Sequence, residues 1–332
     1  MNYIGSKSKL SHFIKSTIEE TVGKTDNKVF AELFGGTGII GRQFKQEVKK
    51  IIMNDVEPYS YVLMRNYIGN TKLFDYSHLI DELNLLAGEK GFIYQHYCMG
   101  GKSQRQYFSD QNGKKIDAIR RTIEQWNSSK RITQDQYYFL LASLLESADK
   151  VANTASVYGA FLKTLKASAQ KEMKLHPAVF SESTAKTIVH HEDANELIKK
   201  ISGDILYLDP PYNERQYGSN YHLLNTIALY DSFTPNGKTG LRTYYRSPYC
   251  QRAKVAGVFE DLIQNAKFKY IFLSYNNEGL LSEKTIQKIM SKYGSYSLRK
   301  KKYQRFKADK TEKRNHTATS TFEFLHILIK DK

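Results

Sequence analysis

Over the first part of the chain the apolar positions change period twice. Leu10, Phe13, Ile14, Ile18 and Val22 recur at helical spacing and predict an amphipathic helix over residues 10–22. Val29, Phe30, Ala31, Leu33 and Phe34 form a short apolar run that predicts a buried strand, with Glu32 set inside it. A glycine-rich turn follows, then a helix over 39–48 and a second strand, Ile51-Ile52-Met53, which ends at Asn54-Asp55. Strand, turn, helix and strand in that order open a doubly wound α/β sheet.

This alternation stops near residue 60. From there to about 185 the signals are mainly helical, as in the run from Tyr138 to Leu145. Alternation resumes with a strand over 187–190, a helix over 194–201 and a strand over 205–208. Helices around 221–230 and 252–266 and a strand over 270–274 come next. Two last strands are predicted near 295–306 and 320–329, with a basic run between them. The pattern reads as one α/β core, residues 1–60 and 186–332, interrupted by a mostly helical insertion over 61–185.

Composition narrows the class. Apolar residues make up 40% of the chain, enough for a packed core. Cys98 and Cys250 are too few for a disulfide framework or a four-ligand zinc site. No stretch approaches the roughly eighteen apolar residues of a membrane span, and residues 1–7 lack the apolar run of a signal peptide. A protein of a reducing cytoplasm is expected.

Charge adds a partner. Lys and Arg number 50 against 34 Asp and Glu, a net charge of +16. Such an excess favours nucleic acid, because phosphate neutralisation releases counterions. The charge is clustered: residues 101–131 hold eight cations and three acids, and residues 298–316 hold nine and two. Tyr107, Phe108, Trp126, Asn127, Tyr303 and Phe306 lie among them and add stacking and hydrogen-bonding groups. Lys102, Arg105, Arg120, Arg121, Arg299, Lys301, Lys302 and Arg305 are therefore the candidate nucleic-acid contacts. Trp126 is expected in the core of the insertion rather than as a wedge between bases. The run 298–316 is expected as an extended basic hairpin lying on phosphates.

Two segments carry candidate chemistry. Phe34-Gly35-Gly36-Thr37-Gly38-Ile39-Ile40-Gly41 joins a strand to a helix and contains G-x-G-x-x-G, a turn that lets backbone approach a ligand closely. Asp55, at the end of the next strand, suits ribose hydroxyls. No Lys-Ser/Thr follows the last glycine, so the loop is not a P-loop, but it fits any adenosine-containing cofactor, a nicotinamide included. The second segment, Asp209-Pro210-Pro211-Tyr212, follows the strand 205–208. Ligands of open α/β sheets bind at that edge. The prolines fix φ and carry no N–H, leaving rigid carbonyls. An N–H₂ group can donate one hydrogen to the Asp209 carboxylate and one to the Pro210 carbonyl, while Tyr212 offers a stacking face. That is a clamp for a flat exocyclic amine.

With these residues in place, the chain resembles the Dam-like N6-adenine DNA methyltransferases, the D12 class or alpha group. Tyr3-Ile4-Gly5-Ser6-Lys7 resembles the family's N-terminal motif, and Glu32-Leu33-Phe34-Gly35-Gly36-Thr37-Gly38 its cofactor loop. Asn54-Asp55 and Glu192-Asp193-Ala194 resemble the ends of its second and third strands, and Asp209-Pro210-Pro211-Tyr212 is its catalytic tetrapeptide. Tyr3 stands where many relatives have Trp. The resemblance implies a class I methyltransferase with a Rossmann-like doubly wound sheet and a helical target-recognition insertion. It implies S-adenosyl-L-methionine as donor, S-adenosyl-L-homocysteine as product and no metal. Tyr3 and Lys7 would border the cofactor, and Glu32, Phe34, Gly35, Gly36 and Gly38 would hold its methionine end. Asp55 would bind its ribose and Asp193 its adenine amine, with Asp209 between cofactor and target. Asp209, Pro210, Pro211 and Tyr212 would act on an adenine flipped out of duplex DNA. The expected setting is restriction–modification or epigenetic marking, as a monomer, with a cognate restriction endonuclease as a possible neighbour.

Other assignments stay open on the residues alone: cytosine-N4 or RNA adenine methylation, a nicotinamide oxidoreductase, or a silent nucleic-acid binder. Smaller expectations concern the segment 213–217, as a loop closing over a flipped base or an ordinary surface loop, and Ser274-Tyr275-Asn276-Asn277, as lining for the base. His190 and His191 point to opposite faces of a strand, so their adjacency reads as coincidence rather than a metal site.

Overall fold

The structure, a computed structural model, describes residues 7–304 and 320–331. Tyr3 and Arg305, with most of the basic run between the last two strands, lie outside the described residues. The chain divides into two compact units.

The α/β unit comprises Ser6–Val56, Ser183–Gln216 and Arg246–Lys332. Its strands are β1 (Val29–Glu32), β2 (Lys50–Asn54), β3 (Lys186–His190), β4 (Ser202–Leu208), β5 (Lys267–Asn276), β6 (Gly294–Gln304) and β7 (Ser320–Lys330). They form one sheet in the order β3-β2-β1-β4-β5-β7-β6. The first five are parallel, and β7 runs antiparallel to both β5 and β6. Phe30, Ala31, Ile205, Leu206, Ile271 and Phe272 are fully buried, as central parallel strands covered on both faces require.

Two features of this order position the site. β1 and β4 are neighbours from which the strand order runs outward in opposite directions, so a crevice opens beyond their carboxyl ends. The reversed β7 brings its beginning to that same edge: Glu323 pairs in register with Asn276, the last residue of β5. At the far side, the edge strand β6 carries exposed Arg299, Lys300 and Lys302, charges that also discourage strand addition.

Among the described residues the helical unit comprises Glu57–Glu182 and Tyr217–Tyr245. Its first two boundaries fall close to the expected 61–185, but the second segment corrects the expectation, which placed 217–245 in the α/β core. The helix His222–Leu229 buries Leu223, Leu224, Ile227 and Ala228 in the helical core. Arg120 donates to the carbonyls of Ile227 (3.0 Å) and Ala228 (3.1 Å) at its carboxyl end. Tyr230 Oη then donates to buried Asp117 (2.6 Å), which also accepts the N–H groups of Gly91, Ile93 and Tyr94. The long helices Asp110–Ser128 and Gln134–Val151 begin at Ser109 and Thr133, whose hydroxyls cap the first turns. Trp126 is buried in this core, as expected. Among the described residues no helix is long and apolar enough to cross a membrane.

Candidate active site

The glycine loop needs its glycines. Gly36 and Gly38 sit at φ +52° and +71°, left-handed conformations that strain other residues. Gly35 N–H donates to Asn54 O (2.9 Å) and Gly38 N–H to Gly35 O (2.7 Å), closing the turn. Asp55 Oδ2 accepts the Gly36 N–H (2.8 Å). Glu32, buried at the end of β1, accepts the Gly41 N–H through Oε2 (2.8 Å). A Cβ on Gly41 would approach Met53 Sδ to 2.5 Å and this carboxylate to 3.1 Å, so helix and strand meet closely there. Burial pushes the Glu32 carboxyl well above the usual range; the Gly41 N–H opposes this, and Asp209 and Asp55 add repulsion.

Asn54 ties three strand ends together. Its amide donates to Leu33 O (3.1 Å) and Glu192 O (3.0 Å) and its carbonyl accepts the Glu192 N–H (3.0 Å). Asp193 caps the helix Ala194–Leu197, accepting the N–H groups of Asn195 (2.8 Å) and Glu196 (3.2 Å). Phe34 meets the ring of Tyr249 edge-on at 5.0 Å. The structure thus gathers Glu32, Phe34, Gly35, Gly36, Gly38, Asp55 and Asp193 at the carboxyl edge of β1, β2 and β3.

Asp209 follows β4 beside buried Pro210. Lys7 Nζ lies 2.9 Å from Asp209 Oδ1 and 3.0 Å from Glu323 Oε1. Lys7 and Glu323 are 5% and 1% exposed, so this ion cluster is shielded from water. Burial alone would lower the Lys7 pKa, but Asp209 and Glu323 outweigh it and hold the ammonium well above its usual value. Burial raises both carboxyls, with Lys7 opposing the rise. The Tyr212 ring centroid is 5.4 Å from Lys7 Nζ, and Tyr275 meets that ring edge-on at 5.9 Å. Tyr212 O accepts the Leu280 N–H (2.9 Å), fixing the backbone beyond the prolines.

Some expectations change. Ser274 is fully buried and accepts a hydrogen bond from Tyr207 Oη (2.8 Å), so it supports β4 from within the core. The segment after Tyr212 is tied down by Gln216, which exchanges two hydrogen bonds with the Ser247 backbone (2.8 and 3.2 Å), leaving Glu214 and Arg215 exposed. His191 Nε2 is 2.9 Å from Val56 O, and His190 Nδ1 is 3.4 Å from Glu192 Oε1.

The candidate DNA contacts sort by burial. Arg120 is only 3% exposed, and the helix carbonyls named above and Glu124 hold its guanidinium, which removes it from any DNA-contacting surface. Arg105 donates to the carbonyls of His96, Gly237 and Lys238, a structural clasp within the helical unit. Exposed Arg121 pairs with Glu89 at 2.6 Å. Lys301 is half-buried over the Phe13 ring (5.4 Å). Lys102, Arg299 and Lys302 are exposed.

Sequence reasoning missed Glu323. A signal existed: it is the one acid in Phe322-Glu323-Phe324-Leu325-His326-Ile327-Leu328-Ile329. A carboxylate in such a run needs a partner.

A family model described as D12 class N6 adenine-specific DNA methyltransferase matches residues 3–289. Type II methyltransferase M.NlaIII of Neisseria lactamica is 61% identical over 332 residues, 99% of each chain. Type II methyltransferase M.CviAII of Paramecium bursaria Chlorella virus 1 is 39% identical over 311 residues, 93% of each. Type II methyltransferase M.FokI of Planomicrobium okeanokoites is 37% identical over 347 residues, all of this chain but 53% of that one.

Proposed function

This chain belongs to the D12 class N6 adenine-specific DNA methyltransferase family, and we infer that it methylates the N6 amine of an adenine turned out of duplex DNA. The observation that carries this reading is the clamp at the end of β4. Asp209 and the Tyr212 ring both lie at Lys7, the Pro210 carbonyl that follows Asp209 would supply a second acceptor, and neither proline has an N–H to compete. An exocyclic N–H₂ group satisfies both acceptors.

The donor set fits S-adenosyl-L-methionine. Glu32, Asp55, Asp193 and Asp209 make the carboxyl edge acidic, which suits a ligand bearing an ammonium, ribose hydroxyls and an adenine amine. When bound, this donor supplies an electrophilic methyl group on a sulfonium. Glu32, Phe34, Gly35, Gly36 and Gly38 hold its methionine end, Asp55 its ribose and Asp193 its adenine. Lys7 borders it.

Turning out the adenine costs a few kcal/mol. Stacking on Tyr212 and contacts to phosphate offset that cost. Lys102, Arg299 and Lys302 are the exposed candidates for phosphate, and the helical unit is the candidate for target recognition. Asp209 and the Pro210 carbonyl hold both amine hydrogens, oppose delocalisation of the nitrogen lone pair into the ring, and stabilise its growing positive charge. The nitrogen gains a methyl and loses a proton afterwards, with Asp209 in place to accept it. A restriction endonuclease encoded nearby and a cytoplasmic location fit relatives named as type II methyltransferases.

Asp209→Ala tests the assignment. Methyl transfer to DNA should vanish while calorimetric titration still detects S-adenosyl-L-methionine binding. Undiminished methylation by this variant would overturn the role of Asp209.

A further inference from the structure

The ion cluster holds one carboxylate more than an Asp209–Lys7 pair needs. Lys7 Nζ stands between Asp209 Oδ1 (2.9 Å) and Glu323 Oε1 (3.0 Å). Glu323 Oε2 is buried with no hydrogen-bond partner among the described residues. Burying a second carboxylate with one oxygen unpaired is costly. A neutral side chain at this buried position of β7 would carry no such cost. With both acids ionised, one cation and two anions leave the cluster at net −1.

We propose that Glu323 is a positioning residue for methyl transfer, sharing the Lys7 ammonium so that Asp209 remains an effective acceptor for the target amine. Without a competitor, Lys7 would pair with Asp209 alone. A carboxylate neutralised in that way is a weaker acceptor from the N6 amine and a weaker base for the proton released after transfer. The surplus negative charge also faces the place where positive charge builds on nitrogen. The acid works through its place on β7: the strand is antiparallel, so its beginning reaches the edge where β4 ends. The other ionisable groups near this cluster are Glu32 from β1 and Tyr207 from β4, beside Asp209, and Tyr212 from the following loop, beside Lys7. None of these takes the Lys7 ammonium from its other side.

The proposal rests on the adenine-N6 assignment, and the experiment separates the two. Single-turnover methyl transfer is followed against pH with saturating S-adenosyl-L-methionine and unmethylated DNA, for wild type, Glu323→Gln and Glu323→Leu. Either folded variant serves, so one misfolded protein leaves the test intact. The expected result is a plateau rate lower by about tenfold, with the acidic limb moved down by about one pH unit, because Lys7 then belongs to Asp209 alone. Glu323→Asp keeps the charge and should keep the limb at its wild-type position. A role confined to stability would lower the unfolding midpoint and leave the limb in place. Wild-type rate and limb in a folded Glu323→Gln or Glu323→Leu protein, or a lowered rate with an unmoved limb, would overturn the proposal. Absence of N6-methyladenine with the wild-type enzyme would instead overturn the assignment beneath it.

Discussion

Lys7 Nζ lies 2.9 Å from Asp209 Oδ1, so the carboxylate assigned to the target amine is anchored by a cation from the start of the chain. Removing that cation leaves Asp209 and Glu323 facing each other in a shielded site. Lys7→Met should therefore lose about 3–5 kcal/mol of stability, the usual penalty for breaking a buried pair. Urea unfolding gives the number. The double variant Lys7→Met/Glu323→Leu should be less destabilised than Lys7→Met alone, because the second change removes an uncompensated charge. Additive losses would mean that the two side chains are not coupled.

Glu32 makes a different prediction. Its carboxylate holds the Gly41 N–H and is assigned to the methionine end of the donor. Glu32→Gln keeps an acceptor for that N–H but loses the charge. The KM for S-adenosyl-L-methionine should rise by about tenfold, the scale of one charge-assisted hydrogen bond, with kcat changed far less. Steady-state kinetics at fixed DNA would show this, and a loss confined to kcat would count against the assigned role.

Burial separates two arginine and lysine positions that look alike in sequence. Arg120→Ala should cost about 2–4 kcal/mol, because carbonyls at the end of the helix His222–Leu229 lose their buried donor. It should leave the salt dependence of DNA binding unaltered. Lys302→Ala should leave stability alone and, if this exposed lysine meets a phosphate, reduce the slope of log K against log salt by about 0.9. Binding titrations across a salt series distinguish the two.

Two histidines set a pH dependence. Burial pushes His222 and His326 down to about 4, so both are neutral in the fold. Unfolded histidine titrates near about 6.5. Their contribution to stability is therefore complete above that value and is lost as pH falls through the window towards 4. Denaturant midpoints should drop across this interval. His326→Phe should flatten part of the fall, and an unchanged slope in that variant would show that His326 does not titrate on unfolding.

The legible parts of the sequence were the local ones. The run ending at Glu32, the glycines that follow and the tetrapeptide after Leu208 each declare a strand end and its turn within about ten residues, and ligands gather at that edge. What was not legible depends on non-local placement. Glu323 reaches the site only because β7 is antiparallel, a property of sheet order rather than of its own segment. The helix His222–Leu229 is apolar enough for either layer, and only its bonds to Arg120 and the Tyr230 bond to Asp117 reveal which one it joins. The same bonds explain why charge counting misjudged Arg120: a guanidinium that caps a buried helix counts as +1 in sequence but contributes nothing to a surface.

The identity of the methylated base tests the central claim most directly. Unmethylated DNA is incubated with the protein and isotope-labelled S-adenosyl-L-methionine, digested to nucleosides and resolved by mass spectrometry. The geometry around Asp209 predicts label in N6-methyladenine, absent with Asp209→Ala. Label in N4-methylcytosine, or none in DNA while the donor is bound, would contradict it.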